Sequence, residues 1–231
     1  MGTIKQGILG GFSGKVGTVV GSTWKSVHYM RALAVSVNNP NTEKQQCQRN
    51  KFLVALQFLR TFTPFLRVGY QNYAKGQSAF NAAMSYMLKN ATTGCGADVT
   101  IDYNKTLVAR GSLNTAMNAT AAVEGNKVSY TWTDNSGMGN AQATDSAMLL
   151  AYNKHKKEAI YSLDGAARSE AAAELILPTN WSDDALAVYL SFYNEESRTV
   201  SNSVCLKNDT FSDDSGEENP GQGGSGDNPL G

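Results

Sequence analysis

Lys127-Val128-Ser129-Tyr130-Thr131-Trp132-Thr133 alternates apolar and polar side chains with a period of two. Successive residues of an extended chain face opposite ways, so Val128, Tyr130 and Trp132 form the inward row of a half-buried strand. Leu186, Val188, Leu190 and Phe192 repeat the pattern. Around these two runs, further β-like stretches lie at 99–103, 107–112, 119–123, 146–152, 159–162, 171–177 and 199–206. Their joints carry turn residues such as Glu124-Gly125-Asn126, Asn135-Ser136-Gly137 and Asp164-Gly165. Short strands at this spacing predict an antiparallel β-sandwich of immunoglobulin or fibronectin-III type over residues 93–207, with Trp132 in its core.

N-terminal to the sandwich the period changes to that of a helix. Pro40 turns Asn39 away from helical geometry, and Asn41 or Thr42 is placed to cap a helix with Glu43 in its first turn. Phe52, Leu53, Leu56, Leu59 and Phe62 follow at spacings of three and four, one apolar stripe. Thr63-Pro64 opens a second helix towards Tyr73, and Ser78 caps a third from Ala79 to Asn90 with Phe80, Ala83, Met84 and Met87 on its apolar side. Short connections make these a three-helix packing unit whose aromatic residues read as core.

Residues 1–37 are glycine-rich. Val16, Val19 and Val20 lead into a turn expected at Gly21-Ser22, and strand-favouring residues from Trp24 to Val37 complete a β-ribbon. Within that strand Lys25, Val27, Tyr29 and Arg31 share one face, and Trp24, Ser26, His28 and Met30 the other. The expected chain is therefore α+β. A basic β-ribbon and helical domain spans 1–92, a β-sandwich spans 93–207, and 208–231 is an acidic tail too poor in apolar residues to order itself.

Twenty Lys/Arg balance twenty Asp/Glu, but the signs are segregated. Residues 1–92 hold eleven bases and Glu43 alone, net +10, while the tail holds six acids and no base. Such asymmetry predicts a basic surface that meets something anionic: an acidic protein, a further copy of the chain, or nucleic acid. The interaction candidates are Lys15, Trp24, Lys25, Tyr29, Arg31, Arg49, Lys51, Arg60 and Arg67, with Lys5 added for nucleic acid.

Other classes of function find little material. No apolar run approaches the ~20 residues that span a bilayer. The N-terminus lacks the continuous apolar core of a signal peptide, so the expected location is cytoplasmic, free or incorporated into a virion or other assembly. Cys47, Cys95 and Cys205 are odd in number and far apart, with neither a disulfide framework nor metal-ligand spacing, and a reduced compartment suits them. His28 and His155 are the only histidines, too few for a zinc site or a His-assisted nucleophile. Gly10-Gly11-Phe12-Ser13-Gly14-Lys15 departs from phosphate-loop spacing because Val16 follows the lysine. The neighbouring acids Asp183-Asp184 and Glu195-Glu196 point to opposite sides. No catalytic, cofactor or metal residue is assigned, no small-molecule substrate is evident, and the chain is expected to be non-enzymatic. Glycan recognition by sandwich loops near Trp181 is a third reading, resting on fold analogy.

Several elements recur together: Met1-Gly2-Thr3-Ile4, Gly10-Gly11-Phe12-Ser13-Gly14-Lys15-Val16-Gly17-Thr18-Val19-Val20-Gly21, Trp24-Lys25, Tyr29-Met30-Arg31 and Asn39-Pro40-Asn41-Thr42-Glu43. Gln46, Arg49 and Phe52 follow, then Phe80-Asn81-Ala82-Ala83-Met84-Ser85-Tyr86 and Gly137-Met138-Gly139-Asn140-Ala141. With these the chain resembles an uncharacterised bacterial family classed as a domain of unknown function, over nearly its whole length except the acidic tail. Residues 10–55 are also similar to small phage-associated structural proteins that share the Gly-Lys-Val-Gly, Asn-Pro-x-Thr and Gln-x-x-Arg-x-x-Phe elements. Neither resemblance brings catalytic residues. What they imply is an assembly protein of a mobile element or virion.

Overall fold

Val16-Gly17-Thr18-Val19 is where the chain first reverses. In the computed structural model, which describes residues 2–4, 10–24, 27–36, 40–181 and 184–208, Val16 pairs with Val19 across a two-residue loop and Gly17 takes φ +56°. Glycine at the first central position of such a hairpin reaches a left-handed backbone at no steric cost. The turn expected at Gly21-Ser22 is absent, because both residues lie inside a strand. Gly21 serves packing instead: a Cβ there would strike the carbonyl oxygen and ring of Phe12, which fills the place of the missing side chain. Strands β1 (Thr3–Ile4), β2 (Phe12–Val16), β3 (Val19–Trp24) and β4 (Val27–Ala32) form one antiparallel sheet in that order.

Thr42 then caps α1 (Glu43–Arg60). Its hydroxyl accepts from the Gln45 N–H while the Gln45 side chain accepts from the Thr42 N–H, the reciprocal pair of a capping box. The fully buried apolar residues of α1 all lie in its C-terminal half. Ala55, Phe58 and Leu59 are buried there, with Phe62 just beyond, whereas Phe52 and Leu53 of the expected stripe are 47% and 54% exposed. α2 (Thr63–Gly69) has Pro64 in its first turn but stops short of Tyr73, continuing as a 3-10 turn over Gln71–Tyr73. The Ser78 hydroxyl accepts from Asn81 N–H at the start of α3 (Ala79–Asn90) as expected.

After α3 come the short partners β5 (Thr92–Thr93) and β6 (Thr100–Ile101). The strand expected at 107–112 does not form, because its backbone finds other partners. Val108 N–H donates to Ser203 Oγ, Arg110 N–H to the Gly69 carbonyl, and Gly111 N–H to Asn202 Oδ1. The segment is thereby held between the end of α2 and residues 200–203.

The remaining strands are β7 (Met117–Glu124), β8 (Lys127–Thr133), β9 (Ser146–Asn153), β10 (Glu158–Ser162), β11 (Ala172–Ile176), β12 (Leu186–Asn194), β13 (Thr199–Val200) and β14 (Val204–Asn208). They make an antiparallel three-stranded sheet, β11-β8-β7, and a five-stranded one, β10-β9-β12, with β13 and β14 both on the free side of β12. The alternation read at 127–133 holds: Val128, Tyr130 and Trp132 are buried. They meet Leu149, Val188, Leu190 and Phe192 of the larger sheet in one apolar cluster. The alternate residues of that sheet, Met148, Leu150, Tyr152, Ala187 and Tyr189, form a second cluster with Phe58, Phe62, Phe65, Met84 and Met87. The order of layers is helices, five-stranded sheet, three-stranded sheet. β9 and β12, covered on both sides, read as near-continuous apolar runs for that reason. The expected boundary between residues 92 and 93 falls within the helix–sheet cluster, which draws side chains from both of its sides.

Two expectations about the ends and the thiols remain. The tail beyond residue 208 lies outside the described residues, as do Lys5 and Lys25. Cys47 on α1 and Cys95 are joined in a disulfide with Cα atoms 4.9 Å apart, which corrects the reading of three unpaired thiols. Sequence could not show it: 48 residues separate the two, and they meet only because β5 folds back under α1. Cys205 keeps a free thiol, pushed up to about 11 by burial. Closing a long loop stabilises mainly by restricting the unfolded chain, typically by about 2–4 kcal/mol. Dithiothreitol is therefore expected to lower the free energy of unfolding, read from urea titration, by that amount. Alkylation of the native unreduced protein followed by mass spectrometry should label no more than Cys205.

Candidate functional site

Register fixes which side chains of the N-terminal sheet stand together. Lys15 pairs with Val20 and Val20 with Arg31, Ser22 pairs with Tyr29, and Trp24 with Val27. Paired residues on adjacent strands point to the same side. Lys15, Trp24, Tyr29 and Arg31 therefore share one face with Val20 and Val27. The sequence reading placed Trp24 opposite Tyr29 and Arg31 because it took one strand to run through Trp24. The chain reverses between Trp24 and Val27, which brings the indole over. The other face carries Ile4, Phe12, Val16 and Met30, and there Thr23 Oγ1 lies 2.9 Å from His28 Nδ1.

Among the described residues, no buried core lies behind this sheet. None of its residues belongs to either buried cluster. Trp24, Val27 and Met30 are 66%, 62% and 70% exposed. Beside β4, which is the last strand of the sheet and open along one side, Val19, Met30, Leu33 and Val35 line a groove of about 690 Å³ with Arg31 at its rim. No acidic residue occurs before Glu43, so the cationic side chains here have no counter-charge within their own segment.

The helical candidates stand apart from that face. Arg49 and Arg60, three helical turns apart, lie on one side of α1, while Lys51 is turned roughly 200° away from Arg49. Arg49 Nη1 donates to Asn41 Oδ1 at 2.8 Å, and Arg49, Phe52 and Leu53 line a shallow apolar groove on α1. Arg60 and Arg67 occupy the last turns of α1 and α2, where a cation favours the negative end of the helix dipole. The structure thus brings Lys15, Trp24, Tyr29 and Arg31 together and distributes Arg49, Lys51, Arg60 and Arg67 over two helices.

Other residues singled out in the sequence prove to be structural. Trp181 is buried between the two sheets, so its own ring is packed in the core. His155 Nδ1 lies 3.4 Å from Asp184, whose carboxylate also accepts from Lys156 and from Asn153 Nδ2. The Lys156 hydrogen bond, then that of Asn153, holds the Asp184 carboxyl below the usual carboxylate range. These contacts clamp a turn. Among the described residues no three His, Cys, Asp or Glu gather as a metal site would need.

Two features escaped the sequence reading. Arg168, fully buried, donates from Nε to Asp145 Oδ2 at 3.0 Å, from Nη1 to Asn135 Oδ1 at 2.6 Å and from Nη2 to the Asn114 carbonyl at 2.9 Å. Its guanidinium lies 3.8 Å from the centre of the Phe192 ring, and its own carbonyl accepts from Trp132 Nε1. Asp145 accepts further from Asn194 and from Gln142 N–H. Burial pulls the Arg168 guanidinium below its ordinary value while Asp145 pulls it back up. Gly137-Met138-Gly139-Asn140-Ala141 is the loop that closes over this network: the Asn140 amide accepts from Asn114 N–H and donates to the Ser112 carbonyl. The second feature is Arg110, whose guanidinium lies between the rings of Tyr73 and Tyr86. Neither arginine had a sequence signal beyond its charge.

No helix among the described residues is long and apolar enough to cross a membrane. No curated protein and no solved structure matches the chain. A family model does match, over residues 11–207, which takes in β2 to β14 and leaves out only the two ends. The chain belongs to that family, a family of unknown function designated DUF6266.

Proposed function

We propose that the protein is a non-enzymatic structural or assembly module that docks through its N-terminal sheet onto a protein, with a further copy of the same chain as the first partner to test. The observation that carries this reading is a four-stranded sheet with large apolar side chains exposed on both faces, β4 as an edge strand and, among the described residues, no core behind it. Apolar surface of that kind is costly in water and marks association sites. An open edge such as β4 adds backbone donors and acceptors for a neighbour's strand. The two facing sheets support reading residues 93–207 as an immunoglobulin- or fibronectin-III-like sandwich with helices added to its outer face, a rigid carrier for the docking sheet.

Size-exclusion chromatography with light scattering tests it. The intact chain should run well above the 24.8 kDa of one copy. Val27→Glu combined with Met30→Glu, one charge on each face of β4, should return it to monomer with unchanged circular dichroism. A chain that is strictly monomeric and retains no protein partner would sink the reading. The alternative is nucleic-acid binding, supported by the shared face of Lys15, Arg31, Trp24 and Tyr29, since cations beside stacking rings suit single strands. A gel shift that weakens steeply with salt would favour it, and no shift even at low salt would remove it.

A further inference from the structure

Away from the docking sheet, a cavity of about 370 Å³ opens between α3 and the 3-10 turn that follows α2. Arg110 is its central group. The backbone N–H of Arg110 is tied to the Gly69 carbonyl at 2.9 Å, and its guanidinium lies 4.4 Å from the ring centre of Tyr73 and 5.3 Å from that of Tyr86. Two aromatic faces hold the planar group in one orientation. Its side-chain N–H groups donate to no described protein group, and no described carboxylate lies within ion-pair distance.

The rest of the lining has the same character. Lys89 supplies an ammonium, Ser85 a hydroxyl and Asn90 an amide anchored by its donation to the Tyr86 carbonyl. Ala82 is the small residue that leaves the space open. The lining holds two cations, several hydrogen-bond donors and no acid, in a volume at the lower end of small-ligand sites. We propose that this cavity binds a small organic or inorganic oxyanion, a carboxylate or phosphate seated on the N–H edge of Arg110 with Lys89 beside it. A fixed guanidinium edge matches two oxygens of one oxyanion, which a point charge such as lysine does not.

Isothermal titration of the full chain at low ionic strength, with sodium benzoate and inorganic phosphate as separate probes, tests the site. Saturable binding of at least one probe is expected, and which one binds separates a carboxylate on an apolar body from a phosphate. Arg110→Met should abolish binding, Arg110→Lys should weaken it roughly tenfold or more, and Lys127→Met, a charge loss on the three-stranded sheet, should leave it unchanged. Because Arg110→Met also removes the stack between the tyrosines, Ser85→Trp provides a second block: Ser85 is exposed on α3, and an indole there fills the cavity while α3 stays intact. Loss of binding in folded Ser85→Trp supports the site. Undiminished binding in both Arg110→Met and Ser85→Trp, or no saturable binding of either probe to the native chain, overturns it.

Discussion

Arg168→Met is expected to destabilise the protein by about 3–5 kcal/mol, the range for removing one partner of a buried ion pair. Methionine fills most of the volume, so little of the loss is cavity. It arises because Asp145, with no exposed surface, keeps a charge whose counter-ion has gone. Asn135 Oδ1 and the Asn114 carbonyl lose their donors at the same time. In a domain of this size that corresponds to a fall in Tm on the order of 10 °C. Urea unfolding at neutral pH gives the number directly, and a cost below about 1 kcal/mol would mean that the network is not sealed from water. The mechanism has its own check. Adding Asp145→Asn to Arg168→Met removes the stranded charge, so the double variant should be more stable than Arg168→Met alone.

Phe58→Ala is expected to cost a similar ~3–5 kcal/mol, through lost burial and the cavity left behind. Phe58 meets Phe62, Tyr103 and Tyr152 edge-on, with ring centres 5.0, 5.9 and 4.7 Å apart. It therefore joins α1 to the five-stranded sheet. The form of the transition carries as much information as its size. Circular dichroism at 222 nm follows the helices, whereas Trp132 and Trp181 report from the cluster between the two sheets. If helices and sheets unfold as one unit, both signals shift together in the variant. If residues 1–92 and 93–207 were independent domains, the helical signal would move and the tryptophan emission would stay.

Much of this architecture is legible in the sequence, for identifiable reasons. Thr42, Ser78 and Pro64 mark helix starts through local backbone chemistry, which does not depend on the rest of the fold. The rows Val128/Tyr130/Trp132 and Leu186/Val188/Leu190/Phe192 declare strands because one side of each faces apolar neighbours. What local pattern could not show was what lies on the other side. Tyr189 and Tyr152 are buried under helices that are remote in sequence, and nothing in their own segments distinguishes a face covered by a helix from one left to water. The same blindness misplaced the stripe of α1, since Phe52 and Leu53 have helical spacing yet are left exposed. On the N-terminal sheet, the cations and aromatic residues were visible as types, but their shared face depends on a reversal after Trp24 that no turn signal marked. Arg168, Arg110 and the Cys47–Cys95 bridge are wholly matters of tertiary proximity.

The placement of β12 has a consequence for how the chain is made. The helices are complete by Asn90, yet the platform they cover is finished only when β12, which ends at Asn194, has joined β9, about a hundred residues later. At ribosomal speeds of about 5–20 residues per second, the apolar sides of α1, α2 and α3 wait roughly 5–20 s for their counterpart. During that interval Phe58, Phe62, Phe65 and Met87 are open to whatever else the nascent chain or the cell presents. Synthesis in this order makes closure of the core a late event.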